Sequence, residues 1–132
     1  MTLSNEFIKT FLSQRDIKTT HTEDDGGVVC VFDKRYRVHI TPVAFDRILL
    51  RSFITFFPVQ QAKKELFIQK VLKVMQANLF TAQTSLFCDP DQQAIYAQCD
   101  VFDITTVNNL EFGLEGFLNA IDFFRQIFKE DQ

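Results

Sequence analysis

The residues of this 132-residue chain best suited to chemistry are its cysteines and histidines. Cys30 and His39 lie in adjacent predicted strands, and an even hairpin register would place them opposite one another as a cysteine–histidine dyad. A small buried thiol beside a half-exposed histidine explains the same pattern, because a nucleophile also needs an orienting group and an oxyanion site. Cys88 and Cys99 bring the cysteines to an odd number without metal-ligand spacing. The sequence therefore predicts no enzyme activity, no metal and no cofactor.

The glycine-containing segments predict no ligand site either. The acidic run Asp24-Asp25-Gly26-Gly27 lacks the ligand spacing of a calcium loop, and it predicts a turn. Gly113 and Gly116 match no phosphate-binding pattern. Both glycines lie in a predicted helix, where we expect them to allow a close approach to neighbouring elements.

The composition favours a binding protein. The net charge is −3 and no block of basic residues occurs, so we expect no nucleic-acid binding. No run of about 18 apolar residues occurs either, so we expect no membrane insertion. An odd number of cysteines without metal-ligand spacing indicates reduced thiols, which are typical of a cytoplasmic protein. The chain contains 16 Phe and no Trp, and a small domain has limited interior volume. Some of the Phe side chains should therefore be buried between molecules.

Apolar periodicity predicts the order of the elements. Amphipathic helices are predicted over residues 3–14, 60–80 and 109–128, and strands over 28–32, 36–40, 48–57, 85–89 and 93–99. Residues 16–23 are β-prone but polar, and Pro42 indicates a connection. The run 48–57 is apolar on nearly both faces, which predicts a central strand covered on both sides. The order α-β-β-β-α-β-β-α predicts a single α+β domain over residues 1–132, an antiparallel twisted sheet packed by helices.

The second helix predicts a subunit interface. Its apolar residues span an arc of roughly 160°, wider than the stripe of about 100° that one core contact requires. One flank contains Phe67, Val71 and Val74, and the other contains Ile68, Leu72, Met75 and Leu79. Two flanks predict two contacts, a sheet and a second subunit. We assign the homodimer interface to Phe67, Val71, Val74 and Met75.

The last helix is predicted to be amphipathic. Asn108 and Glu111 resemble a capping box, which predicts the start of the helix. Its apolar stripe is formed by Leu110, Leu114, Phe117, Ile121, Phe124 and Phe128. Polar residues lie opposite the stripe, and Phe112 and Phe123 lie at its border.

The first helix and first hairpin predict a partner-binding groove. The helix has more apolar surface than one core contact needs, and the outward face of the hairpin mixes apolar and basic residues. Such a face beside an open strand edge suits an extended peptide. The predicted groove residues are Phe7, Phe11, Val29, Val31, Arg37 and His39. The alternative for Phe7 and Phe11 is that they close the core.

Two segments resemble the class I type III secretion chaperones, the Tir chaperone or CesT family. Residues 71–80, ending in Ala77-Asn78-Leu79-Phe80, are similar to the end of the family's second helix, and residues 116–125 are similar to its aromatic last helix. The element order agrees along nearly the whole chain. The resemblance implies a homodimeric, cytoplasmic bacterial chaperone without enzyme activity. It would bind the amino-terminal segment of one or more effectors in an extended, secretion-competent state, and the secretion ATPase would be a further partner.

Two other functions fit the same sequence. One is a regulatory or interaction domain that shares this fold outside secretion. The other is a small carrier of a lipophilic ligand. A neighbouring effector gene would favour the chaperone over the interaction domain. A co-purified small molecule would favour the ligand carrier.

Overall fold

Alternating strands and striped helices produce an α+β fold in the described part of the chain. A computed structural model describes residues 3–15, 17, 19–22, 27–44, 46–78, 84–102 and 106–129. The elements are α1 (Leu3–Gln14), β1 (Thr19–Thr22), β2 (Val28–Phe32), β3 (Tyr36–Ala44), β4 (Arg47–Phe56), α2 (Gln61–Asn78), β5 (Thr84–Asp89), β6 (Ala94–Val101) and α3 (Val107–Ile127). The predicted architecture is confirmed. The structure adds β1, and the predicted end of the second helix at residues 79 and 80 lies outside the described residues.

The strands form one antiparallel sheet in the order β1-β2-β3-β4-β6-β5. Hydrophobic alternation gives the sheet two different faces. Along β4, Ile48, Leu50 and Ser52 are buried, whereas the residues between them are partly exposed. We call the buried side the inner face and the other side the outer face.

All three helices contribute to one core on the inner face. Phe11, Phe67 and Phe117 come from different helices and join the same buried cluster as Val38 and Leu50 of the sheet. The predicted stripe of α3 is buried along its whole length. None of the helices in the described ranges combines the length and apolar character needed to cross a bilayer.

Two strands depart from the sequence prediction. β1 is polar, so it lacks apolar alternation, and its pairing with β2 at the sheet edge supplies its backbone hydrogen bonds. β3 continues through Pro42, which the sequence predicted to be a connection. A bulge between Pro42 and Ala44 accommodates the missing backbone donor there. β4 is central, as predicted, but its helices lie on the inner face, and the expected cover on both sides is wrong for the described residues.

The helix α3 begins earlier than predicted. Thr106 is the cap residue: its backbone is extended, and its hydroxyl accepts a hydrogen bond from the Asn109 amide at 3.2 Å. Asn108 therefore lies inside the helix, and the predicted capping role is wrong. Thr106 satisfies an amide that would otherwise lack a partner at the helix start.

The two glycines of α3 have different surroundings. A Cβ atom on Gly113 would lie 2.9 Å from both methyl carbons of Val101, so this glycine permits close packing of α3 on β6. A Cβ atom on Gly116 would meet nothing within 4 Å. The predicted close approach is confirmed for Gly113 and is wrong for Gly116.

Candidate partner-binding surfaces

The cysteine–histidine dyad does not form. Cys30 is paired with Val38 in the hairpin register, while His39 is paired with Val29. Cys30 is fully buried on the inner face, and His39 is one residue out of step, so its side chain points to the outer face. Within the described ranges, no three His, Cys, Asp or Glu side chains cluster closely enough to hold a metal ion.

The predicted groove residues lie on two sides of the sheet. Phe11 is 4% exposed and belongs to the core on the inner face. The side chain of Phe7 lies outside the described residues. Val31, Arg37 and His39 lie on the outer face, opposite α1. Phe11 and the accessible hairpin residues therefore do not border one common groove.

The hairpin residues also differ in accessibility. Val29 is 1% exposed, so the subunit itself covers this side chain. Val31 and Arg37 are exposed and His39 is partly exposed. The accessible part of the predicted hairpin surface consists of these three residues.

A groove does form where the end of α1, the β2–β3 hairpin and α3 meet. Its volume is about 420 Å³. Phe11, Phe32 and Leu114 supply a buried apolar floor, and Leu118 adds a partly exposed side chain one turn further along α3. We call this the hairpin groove. Phe11 thus closes the core and also lines a groove.

Charged side chains form the rim of the hairpin groove. Arg15 pairs with Glu111 between the end of α1 and the start of α3. On the other side, Arg35 of the hairpin lies 3.6 Å from the Asp122 carboxylate. These groups are exposed, so each pair contributes about 0–1 kcal/mol to stability. Their larger effect is to place charged, hydrogen-bonding side chains around the apolar floor of the groove.

Tyr36 connects the hairpin to α3 at this rim. Its hydroxyl hydrogen-bonds to Asp122, which raises the pKa of the tyrosine above its usual value of 10.0, and burial raises the pKa further. The guanidinium of Arg35 lies 4.6 Å from the Tyr36 ring centroid. Arg125 donates to the backbone oxygens of Arg35 and Phe53 at 3.4 and 3.3 Å. These contacts hold the hairpin against α3 and fix one wall of the groove.

A second surface lies on α2. The structure places Phe67 and Val71 in the subunit core, where Phe67 packs against Phe57 and Phe128 with ring centroids 5.4 Å away in both cases. Val74 is partly buried against that core. The subunit itself covers the side chains of Phe67 and Val71, so these two residues of the predicted interface can contribute little area to a contact with a second subunit.

The large apolar residues of α2 that stay exposed are Leu66, Ile68, Leu72 and Met75. Ile68, Leu72 and Met75 form the opposite flank of the arc, whereas Leu66 lies off the arc. Leu72 is 60% exposed and Met75 is 36% exposed. We call Ile68, Leu72 and Met75 the α2 outer flank. The periodicity of the sequence separates the two apolar flanks of α2, but it does not indicate which flank faces the core.

Comparison with known proteins shows the fold. Neither a protein-family model nor a curated protein matches the sequence. The chain has the fold of the class I type III secretion chaperones, as the resemblance predicted.

Three solved structures illustrate the likeness. SchA in the HopA1–SchA chaperone–effector complex is 20% identical over 96% of this chain and 98% of that chain, with a TM-score of 0.67. The Yersinia pestis type III secretion chaperone SycH, in complex with a stable fragment of YscM2, is 15% identical over 91% and 98%, with a TM-score of 0.61. An uncharacterized protein from Methanothermobacter thermautotrophicus is 17% identical over 98% and 100%, with a TM-score of 0.67.

Proposed function

We propose that this protein is a non-catalytic, cytoplasmic chaperone of type III secretion. It binds the amino-terminal segment of an exported effector in an extended state and delivers it to the secretion apparatus, with the secretion ATPase as a further partner. The observation that carries the proposal is the likeness over nearly the whole chain to chaperones whose solved structures contain an effector or a partner fragment.

The hairpin groove gives the proposal a physical basis. Its floor of Phe11, Phe32, Leu114 and Leu118 offers apolar contacts to side chains that a folded client would bury in its own core. Binding such side chains keeps the client segment from collapsing on itself. The charged rim fixes the position of the client backbone through polar contacts without adding much affinity.

The edge of the sheet offers a second kind of contact. β1 has a strand neighbour on one side, β2, and is the end of the strand order. An edge strand presents backbone donors and acceptors that an extended segment can pair with, which holds the segment in an extended conformation. Accessible Val31, Arg37 and His39 lie on the outer face next to this edge, and they remain part of the proposed client surface.

The experiment compares two Leu→Lys variants in the native host. Leu118→Lys places a charge on the groove floor, whereas Leu66→Lys makes the same change at an exposed position of α2 away from it. Affinity purification and mass spectrometry should identify a secreted protein bound to the wild type. We expect Leu118→Lys to reduce its binding and export about tenfold or more, and Leu66→Lys to leave both unchanged.

Circular dichroism and unfolding midpoints establish that both variants are folded. The proposal fails if the wild type retains no secreted protein, or if deleting the gene leaves the export and cellular level of every retained protein unchanged. Equal binding by folded Leu118→Lys would remove the groove from the client surface and leave the chaperone function intact.

We also propose a homodimer that buries the α2 outer flank. Three adjacent apolar residues on one helix favour self-association, because a stable interface requires roughly 1,200–2,000 Å² of buried surface with an apolar centre. Leu72→Glu should shift the protein to monomer in analytical ultracentrifugation, since it introduces a charge at the centre of the flank. The neighbouring exposed change Lys73→Glu is the control. A Leu72→Glu protein that still sediments as a tight dimer contradicts this interface.

One observation favours the alternative of an interaction domain outside secretion. The uncharacterized protein from Methanothermobacter thermautotrophicus has a similar TM-score and is covered completely. The fold alone therefore does not specify secretion. Identification of a retained partner that is not exported would favour this alternative.

A further inference from the structure

The outer face of the sheet carries a cluster of aromatic rings around one arginine. The guanidinium of Arg51, on β4, lies 4.4 Å from the ring centroid of Phe87 and 5.0 Å from that of Tyr96. The rings of Phe87 and Tyr96 are stacked, with centroids 5.4 Å apart and planes 17° apart. Phe53 meets the Tyr96 ring edge-on at 5.8 Å. The stacked rings hold this guanidinium in place on the outer face.

Arg51 keeps unused hydrogen-bonding capacity in this position. Its Nε atom is buried and makes no hydrogen bond within the described part of the chain. The residue as a whole is partly exposed, so another molecule can approach the guanidinium. A buried donor without a partner costs free energy, and an arginine held by rings matches a carboxylate in shape and charge.

The charge balance of the face points the same way. Both carboxylates on its described strands already have partners: Asp100 pairs with Arg47 at 3.3 Å, and Asp89 accepts hydrogen bonds from two amides of its own turn. Arg37 is exposed on the same face as Arg51. A protein with a net charge of −3 therefore presents a cationic patch here, with apolar rings beside it.

We propose that this outer face, centred on Arg51 and flanked by Arg37, Phe53 and Phe87, binds an acidic segment of another polypeptide. Carboxylates of the segment pair with the two arginines, and apolar side chains on the same side of the segment contact the rings. Polypeptide is favoured over nucleic acid because Phe87 and Tyr96 already stack on each other and on Arg51, which leaves less ring surface for stacked bases than for a small apolar side chain. This surface is separate from the hairpin groove on the inner face, although it shares Arg37 with the hairpin part of the proposed client surface.

The probe is a synthetic peptide of about 12 residues that repeats Glu-Ser-Leu-Ser. In an extended chain alternate residues share one side, so this repeat presents Glu and Leu together. Fluorescence anisotropy should detect binding that weakens with added salt. The same peptide with Gln in place of Glu should bind about tenfold more weakly or not at all, since it lacks the charge-assisted hydrogen bonds.

Variants locate the site. We expect Arg51→Gln to lower the affinity for the Glu peptide about tenfold, and Arg37→Gln, a change at an exposed residue that leaves the fold intact, to lower it severalfold. Lys63→Gln removes an exposed cation on α2 and should have no effect. Leu118→Lys, which changes the hairpin groove, should also leave peptide binding unchanged, so the two surfaces are tested separately.

Three outcomes would overturn the inference. The first is equal binding of the Glu and Gln peptides. The second is unchanged affinity in folded Arg37→Gln together with unchanged affinity in Arg51→Gln. The third is binding of a single-stranded oligonucleotide that depends on Arg51 while the Glu peptide does not bind.

Discussion

The helices α2 and α3 use apolar residues in different ways. The stripe of α3 from Leu110 to Phe128 faces the sheet and is buried throughout. On α2 the apolar residues divide: Phe67 and Val71 enter the core, whereas Leu72 remains largely exposed. Both helices are amphipathic, and α3 also exposes Phe112 and Phe123, but these lie apart from its buried stripe. On α2 the exposed apolar residues adjoin the buried ones, so one continuous apolar arc extends beyond the core and favours a contact with a partner.

The largest expected effect tests the buried side of α2. Phe67→Ala removes a ring that packs on Phe57 and Phe128, so we expect a loss of about 3–5 kcal/mol in the free energy of unfolding. Leu72→Ala should change it by less than about 0.5 kcal/mol in dilute, monomeric protein. Urea unfolding of both variants provides the measurement. Similar losses for the two would mean that both flanks of α2 pack within one subunit.

How far the sequence predicts this difference depends on the residue. The breadth of the α2 arc is visible in its spacing, because period 3.6 separates Phe67 and Val71 from Ile68 and Leu72. The choice of the inward flank is not visible, since it depends on packing against Phe57, which precedes α2, and against Phe128, which is distant along the chain. The sequence predicts all six buried residues of the α3 stripe, because a single apolar stripe leaves no choice of which flank faces the core.

The binding surfaces also depend on contacts between distant parts of the chain. Alternation in the first hairpin correctly separated Val38 from Arg37, but nothing local indicates which face α1 covers. The predicted groove therefore joined residues from opposite faces. The cluster around Arg51 was missed because residues 48–57 were interpreted as apolar on both faces. The signal was Arg51 itself, an arginine between Leu49 and Phe53 on the outward positions of the strand.

A smaller effect tests whether α3 has a single contact. Gly113→Ala would place a methyl group against Val101, where overpacking costs about 1–3 kcal/mol and the gain in helix propensity returns about 1 kcal/mol. We expect a net loss of about 1 kcal/mol. Gly116→Ala meets open space and should stabilise the protein by about 0.5–1 kcal/mol. Thermal and urea unfolding of the pair should give opposite signs, and destabilisation by Gly116→Ala would indicate a second contact for α3 as well.

The smallest expected effect concerns the start of α3. It tests how much the local cap contributes to the stability of this helix, compared with packing against the core. Thr106→Ala removes the hydroxyl that accepts the Asn109 amide, so we expect a loss of about 1 kcal/mol. Asn108→Ala lies inside the helix at an exposed position and should change stability by no more than about 0.5 kcal/mol. Equilibrium unfolding resolves a difference of this size when the two variants share one slope against denaturant. A larger loss for Asn108→Ala than for Thr106→Ala would restore Asn108 as the cap. Equal and negligible losses of stability in the two variants would mean that the buried stripe alone holds α3 in place. The difference between α3 and α2 would then depend entirely on packing in the core.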